Sequence, residues 1–125
     1  MTDGLRIGSI VLNVSDVATA MAFWAPALGY HPKYEPEPDW VILCPPASSP
    51  GPNLSLNGGD TTPDPVPHVH LDLYASNQSA EVERLVDLGA RLVPDWPYPE
   101  DEEVDYVVLE DPDGNRFCVI DAGDH

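Results

Sequence analysis

Apolar positions along this chain switch between two spacings, and each switch marks an element. Residues 5–14, LRIGSIVLNV, alternate in the manner of a strand. Ser15 and Asp16 are of the helix-capping type. Val17, Ala20, Met21, Trp24 and Leu28 then follow as one apolar helical stripe. Pro26 lacks a backbone donor and predicts a kinked or frayed last turn. Gly29 suits the left-handed position that ends a helix. A short strand is expected over 30–35. WVILC at 40–44 and NLSLN at 53–57 read as a strand pair joined by the loop PPASSPGP.

The same order then recurs. HVHLDLYA at 68–75 is a strand, and Ser76 or Asn77 can cap a helix with the stripe Val82, Leu85 and Val86. That helix ends at Leu88–Gly89 as the first ends at Leu28–Gly29. ARLVPDW, DYVVLE and RFCVI follow as three strands, the last two joined by the turn DPDGN. A shift of 61 residues lays Ile10, Leu12 and Val14 onto Leu71, Leu73 and Ala75. Two copies are too few for a solenoid. The expected fold class is α+β: two βαβββ modules sharing one core in a single domain over 1–125, with module one at about 5–57 and module two at about 67–121.

The strand at 68–75 carries the most chemistry. Side chains alternate faces along a strand. Val69, Leu71, Leu73 and Ala75 form an apolar face expected to pack on the helices, and His68, His70, Asp72 and Tyr74 form the opposite one. Under the same shift the first strand places Ile7, Ser9, Val11 and Asn13 there. Polar groups on the inner side of a curved sheet need water, partners or a ligand. The pattern also fits a solvated face of an antiparallel sheet.

Charge narrows the partners. With 5 Lys plus Arg against 22 Asp plus Glu, the formal charge is −17. Phosphates would be repelled, which opposes nucleic-acid binding and docking on an anionic membrane. No apolar run has the ~20 residues of a membrane span, and MTDGLRIGSI lacks the shape of a signal peptide, so a cytoplasmic location is expected. Cys44 and Cys118 form no CxxC motif and read as reduced thiols. The 15 prolines concentrate between Pro32 and Pro67, a loop-rich middle interrupted by apolar pieces.

GSIVLNVSD at 8–16, FWAPALGY at 23–30, HVHLDLYA at 68–75, ARLV at 90–93 and DPDGNRFCVI at 111–120 together resemble the vicinal oxygen chelate superfamily. That superfamily includes glyoxalases, bleomycin-resistance proteins and extradiol dioxygenases. The resemblance covers nearly the whole chain and is nearest to small glyoxalase-like proteins. It implies two βαβββ modules curling around a cleft, and pairing of two copies as a homodimer. The superfamily's metalloenzymes hold one divalent ion with a ligand from the first and last strand of each module. Position by position, these ligands fall on Ser9, Ser55, His70 and Cys118. Only His70 is a strong ligand, whereas a catalytic metal takes three protein ligands and an open position.

Two readings of function follow. The first is a metal-free protein binding a small organic molecule, with Ser9, Asn13, Ser55, His70, Asp72, Tyr74 and Cys118 at the cleft and Trp24, Trp40, Trp96 and Tyr98 as candidate walls. The second is an enzyme. One form is a lyase, isomerase or dioxygenase using a divalent ion such as Zn, Ni, Mn or Fe, built on His70. His68 is a substitute ligand there, roughly 6–7 Å from His70 along the strand. The other form is metal-free, with His70 and Asp72 in acid–base roles. No GxGxxG, P-loop or GxSxG motif occurs. DPDGN lacks the glycine position and closing Glu of a calcium loop, and EDEEVD at 100–105 reads as a solvated run.

Overall fold

The computed structural model describes residues 7–59, 69–100 and 103–122. The chain divides into two compact units, residues 1–61 and 62–125. In the first unit β1 (Ser9–Val14) leads into α1 (Val17–Leu28), followed by β2 (His31–Pro32), β3 (Trp40–Cys44) and β4 (Asn53–Gly58). The second repeats the order with β5 (Asp72–Ala75), α2 (Gln78–Leu88), β6 (Arg91–Leu92), β7 (Tyr106–Glu110) and β8 (Arg116–Asp121). Each unit is thus a βαβββ module carrying one four-stranded mixed sheet, ordered β1-β4-β3-β2 and β5-β8-β7-β6. The first strand pairs in parallel with the last in both, and the other pairs are antiparallel.

Local chemistry sets the helix ends. The Asp16 carboxylate accepts from the Ala18 N–H at the start of α1, and the Asn77 side chain accepts from the Ala80 N–H at the start of α2. Gly29 closes α1 at φ 71°, where a side chain would be strained. The helix runs through Pro26 to Leu28. Pro26 sits late enough that the missing donor leaves the following residues helical.

In the first unit Val14, Val17, Ala20, Phe23, Trp24, Val41, Leu43, Leu54 and Leu56 are buried. In the second, Ala75, Leu85, Val93, Val108, Leu109, Phe117 and Val119 are buried. The α1 stripe is rotated from the expected one. Phe23 and Ala27 are buried with Trp24, whereas Met21 and Leu28 are only half-buried. Trp24 meets Phe23 edge-on at 4.9 Å and is 1% exposed, so it is core and not a cleft wall.

Several boundaries differ from expectation. The strand expected at 5–14 is β1, beginning at Ser9, and residues 1–6 lie outside the described residues. The segment expected at 68–75 is a strand only over Asp72–Ala75. The Cys118 N–H still bonds the Leu71 carbonyl at 2.9 Å, so the ladder extends just beyond it. Val69 is 78% exposed and does not join the packed face. Val86 on α2 is likewise exposed, leaving Leu85 as the buried member of that stripe. The strand expected over ARLVPDW is only Arg91–Leu92, because Pro94 cannot donate to a ladder.

The turn DPDGN is anchored from within. Asp111 is fully buried, and its carboxylate accepts from the Asp113 and Asn115 N–H groups at 3.0 and 2.8 Å. Gly114 takes φ 91° there. This geometry fixes where β8, and hence Cys118, begins.

Candidate functional site

Sheet register decides which side chains meet. In the second unit Asp72 pairs with Cys118 across β5 and β8, and Val108 with Cys118 across β7 and β8. Laterally paired residues project to the same face. His70 lies two residues before Asp72 and reaches it: Nδ1 stands 3.0 Å from Asp72 Oδ1. One ligand-type atom from each of His70, Asp72 and Cys118 lies within 4.8 Å of the others. His70 and Asp72 are each a little under half exposed.

The electrostatics of this cluster have a definite direction. Burial pushes the Cys118 thiol up, and the Asp72 carboxylate adds to the effect through its charge and a hydrogen bond. Cys118 is therefore held as a thiol rather than a thiolate, which argues against a resting nucleophile. A carboxylate beside His70 Nδ1 favours the tautomer with the proton on that nitrogen, which makes Nε2 the acceptor. An imidazole oriented in this way can accept a hydrogen bond or move a proton.

The open face of the second unit continues past the cluster. Tyr74 follows Asp72 on β5 and is 76% exposed. Tyr98 accepts a hydrogen bond from the Val108 N–H at 2.8 Å, and its ring lies 5.5 Å from that of Tyr106. Trp96 stands against the Arg116 guanidinium at 5.8 Å. Tyr106 and Arg116 pair with Ile120 and Glu110 in the same register as Cys118. The segment after β6 thus lays two aromatic rings against residues of β7 and β8 that share this face.

In the first unit the equivalent places hold different chemistry. Val11 pairs with Ser55 across β1 and β4, as Asp72 pairs with Cys118. The Ser9 and Ser55 hydroxyls bond each other at 2.6 Å, and Ser55 is 1% exposed. Asn57 donates to the Asn13 side-chain oxygen at 3.2 Å. Ser9, Asn13 and Ser55 therefore share one face of their own sheet, and His70, Asp72, Tyr74 and Cys118 share one face of theirs. His68 lies outside the described residues. One pair was not anticipated: Cys44 Sγ stands 3.4 Å from His31 Nε2. The β2–β3 register, which pairs His31 with Cys44, creates it, and the sequence alone gives no such register.

Two parallel-edged βαβββ modules define the vicinal oxygen chelate fold, and comparisons with known proteins agree. A family profile described as a glyoxalase-like domain matches residues 9–120. The chain belongs to this glyoxalase-like family, within the vicinal oxygen chelate superfamily. Among solved structures, a possible glyoxalase from Bacillus cereus matches with a TM-score of 0.68 at 19% identity, over 94% of this chain and 99% of that one. A glyoxalase/bleomycin resistance protein/dioxygenase family enzyme from Burkholderia phytofirmans matches at 0.66 and 16% identity, over 92% and 97%. The fosfomycin resistance protein FosX from Listeria monocytogenes, an E126Q mutant complexed with Mn(II) and 1S,2S-dihydroxypropylphosphonic acid, matches at 0.70 and 20% identity, over 97% and 91%. At these identities the likeness is one of fold. No curated protein sequence matches the chain.

The superfamily's metal set does not fit this chain. On the positions that the resemblance implies, two of the four are Ser9 and Ser55, neutral hydroxyls already bonded to each other. A third is Cys118, whose surroundings favour the protonated thiol. Neutral hydroxyls are poor replacements for His or carboxylate at a hard or borderline ion.

Proposed function

We propose that this protein binds a small organic molecule on the open sheet face around His70, without a resident metal. The observation that carries this reading is the His70–Asp72 pair at 3.0 Å, which orients the imidazole and leaves Nε2 toward the ligand. Tyr74 and the Trp96 and Tyr98 rings supply apolar surface on the same sheet face, and Asp72 and Cys118 supply further polar groups. Few placed polar groups among aromatic walls are the usual make-up of a small-molecule site. Ser9, Asn13 and Ser55 offer a second, neutral set of hydrogen-bonding groups on their own sheet. The homodimer expected from the superfamily belongs to the same reading, and light scattering at tens of micromolar protein tests it.

The test is a ligand-observed NMR screen of hydroxy acids and phosphonates against wild type, His70→Ala and Asp72→Asn. Hits that bind wild type and fail on both variants support the reading. Hits indifferent to both substitutions overturn it.

A second reading has one specific observation in its favour. A His nitrogen, a carboxylate oxygen and a thiol lie within 4.8 Å of one another in a single unit. This donor set suits zinc better than the hard ions, provided the metal displaces the Cys118 proton. Elemental analysis of protein purified without chelator separates the two. A stoichiometric metal that disappears in His70→Ala would replace the first reading with a metal-dependent lyase, isomerase or dioxygenase.

A further inference from the structure

The hairpin joining β2 and β3 is not a simple turn. Its ladder begins with His31 opposite Cys44 and Pro32 opposite Leu43, and the Lys33 N–H bonds the Ile42 carbonyl at 2.8 Å. It closes with Glu37 opposite Trp40, which exchange N–H···O bonds of 2.9 and 3.3 Å around Pro38–Asp39. Between these anchors Tyr34, Glu35 and Pro36 stand opposite Val41 alone. Three residues against one force the strand to arch away from its partner. The arch borders an open pocket of about 570 Å³ lined by Tyr34, Glu35, Pro36, Glu37, Trp40 and Ile42.

Several observations fix the character of this cavity. Glu37 and Trp40 are direct cross-strand partners, so carboxylate and indole project to one side. Tyr34 brings a second ring, 68% exposed and reachable by a ligand. The chain's own Lys33 ammonium stands 5.6 Å from the centre of that ring, a distance typical of cation–π contact. Among the described residues no cation pairs with Glu35 or Glu37. The arch is held in place from below: the Gly58 N–H bonds the Asp39 carbonyl at 2.9 Å, and any side chain at Gly58 would collide with Val17. Prolines at 36 and 38 further restrict its backbone.

We propose that this pocket binds an organic cation, a quaternary or protonated amine held between the Trp40 and Tyr34 rings with Glu35 and Glu37 as counter-charges. Ring faces attract cations through their quadrupole, and desolvation of the alkyl groups adds to the attraction. The volume lies within the range of small-molecule sites. The formal charge of −17 raises the local concentration of cations and repels anionic competitors. This site is built from residues of the first unit alone and uses none of the His70 face.

The experiment uses the full chain and choline as probe, read through the Trp40 indole N–H signal in two-dimensional NMR. The neutral isostere 3,3-dimethylbutan-1-ol has the same shape without the charge. Choline is expected to shift the Trp40 signal saturably, and the alcohol to bind at least about fivefold more weakly. Followed through the Tyr34 and Glu37 backbone amide signals, Trp40→Leu should weaken choline about fivefold or more, and Trp40→Phe should restore part of the loss. Glu35→Gln with Glu37→Gln alters only exposed groups and so keeps the fold; it should weaken choline about two- to fivefold, less in high salt. Equal binding of choline and the alcohol overturns the proposal. So does choline binding that is unchanged in the double glutamine variant, or shifts confined to another surface. Failure here leaves the His70-centred reading standing, since the two tests share neither residues nor probe.

Discussion

Replacing Asp72 by Asn should release the Cys118 thiol. The two groups face each other across β5 and β8, with ligand atoms no more than 4.8 Å apart. Burial raises the thiol first, and the Asp72 charge and hydrogen bond raise it further. Asn keeps the shape and removes the charge. Coulomb's law gives a pair at this distance about 0.9 kcal/mol in water's dielectric and roughly twice that at half the value. Cys118 is partly shielded and 4.8 Å is the upper limit of the separation, so the first figure is a floor. Those energies convert to about a five- to twentyfold larger thiolate fraction at a fixed pH below the transition. A less basic thiolate is also a weaker nucleophile, so alkylation should accelerate only about two- to fivefold. The assay is thiolate absorbance against pH, with iodoacetamide kinetics beside it, both in a Cys44→Ser background. An unchanged titration would mean that burial alone holds the proton. A titration moved to higher pH would contradict the electrostatic argument outright.

Two further outcomes follow from the same structure. Cys118 and Tyr30 are both raised in the fold, Cys118 by burial and Asp72, Tyr30 by burial and Cys44. Groups raised on folding contribute stability that is complete below their ordinary pKa and lost as pH rises through the folded value. Urea unfolding should therefore show stability falling above about pH 8.5, with a shallower fall in Cys118→Ser. Gly58→Ala should cost about 1–3 kcal/mol in the same assay, because its Cβ would stand 2.9 Å from Val17 Cγ2 and 3.4 Å from Asp39 Cα.

Much of this architecture was legible because the pattern repeats. The caps at Asp16 and Asn77, the Leu–Gly helix ends and the antiparallel pair 40–44 with 53–57 follow from residue type and spacing. The alternation that put His70 and Asp72 on one face and Leu73 and Ala75 on the other holds in the register with β8. Other features depend on tertiary contacts that no local pattern encodes. Trp24 could have been wall or core, and only its packing on Phe23 decides. Val69 and Val86 have the right spacing, yet Val69 is 78% exposed and Val86 40%. The placement of Ser55 opposite Val11 needs a long parallel pairing between residues over forty positions apart, so the Ser9–Ser55 bond is invisible to spacing. The His31–Cys44 contact and the arch at 33–40 are likewise products of register.

The two modules use one scaffold for different chemistry, and Ser55 shows the physical reason. Its place in β4 matches that of Cys118 in β8, and its hydroxyl is buried against Ser9. A carboxylate, the superfamily's usual ligand there, would be ionised at a site 1% exposed, with only a neutral hydroxyl recorded as its partner. Ser55→Ala loses one neutral hydrogen bond and lets Ser9 turn to water, a cost of about 1 kcal/mol. Ser55→Glu also desolvates a charge without a cation to offset it, a cost of several kcal/mol, roughly 3 or more. Protonation relieves that penalty, so the glutamate variant should regain stability as pH falls through the carboxyl range, whereas the alanine variant should not. Urea unfolding of both variants at pH 7 and pH 4.5 measures the difference. Equal stability of the two at pH 7 would show that the site admits water or a cation, and Ser55 would then not be closed to a charged ligand group.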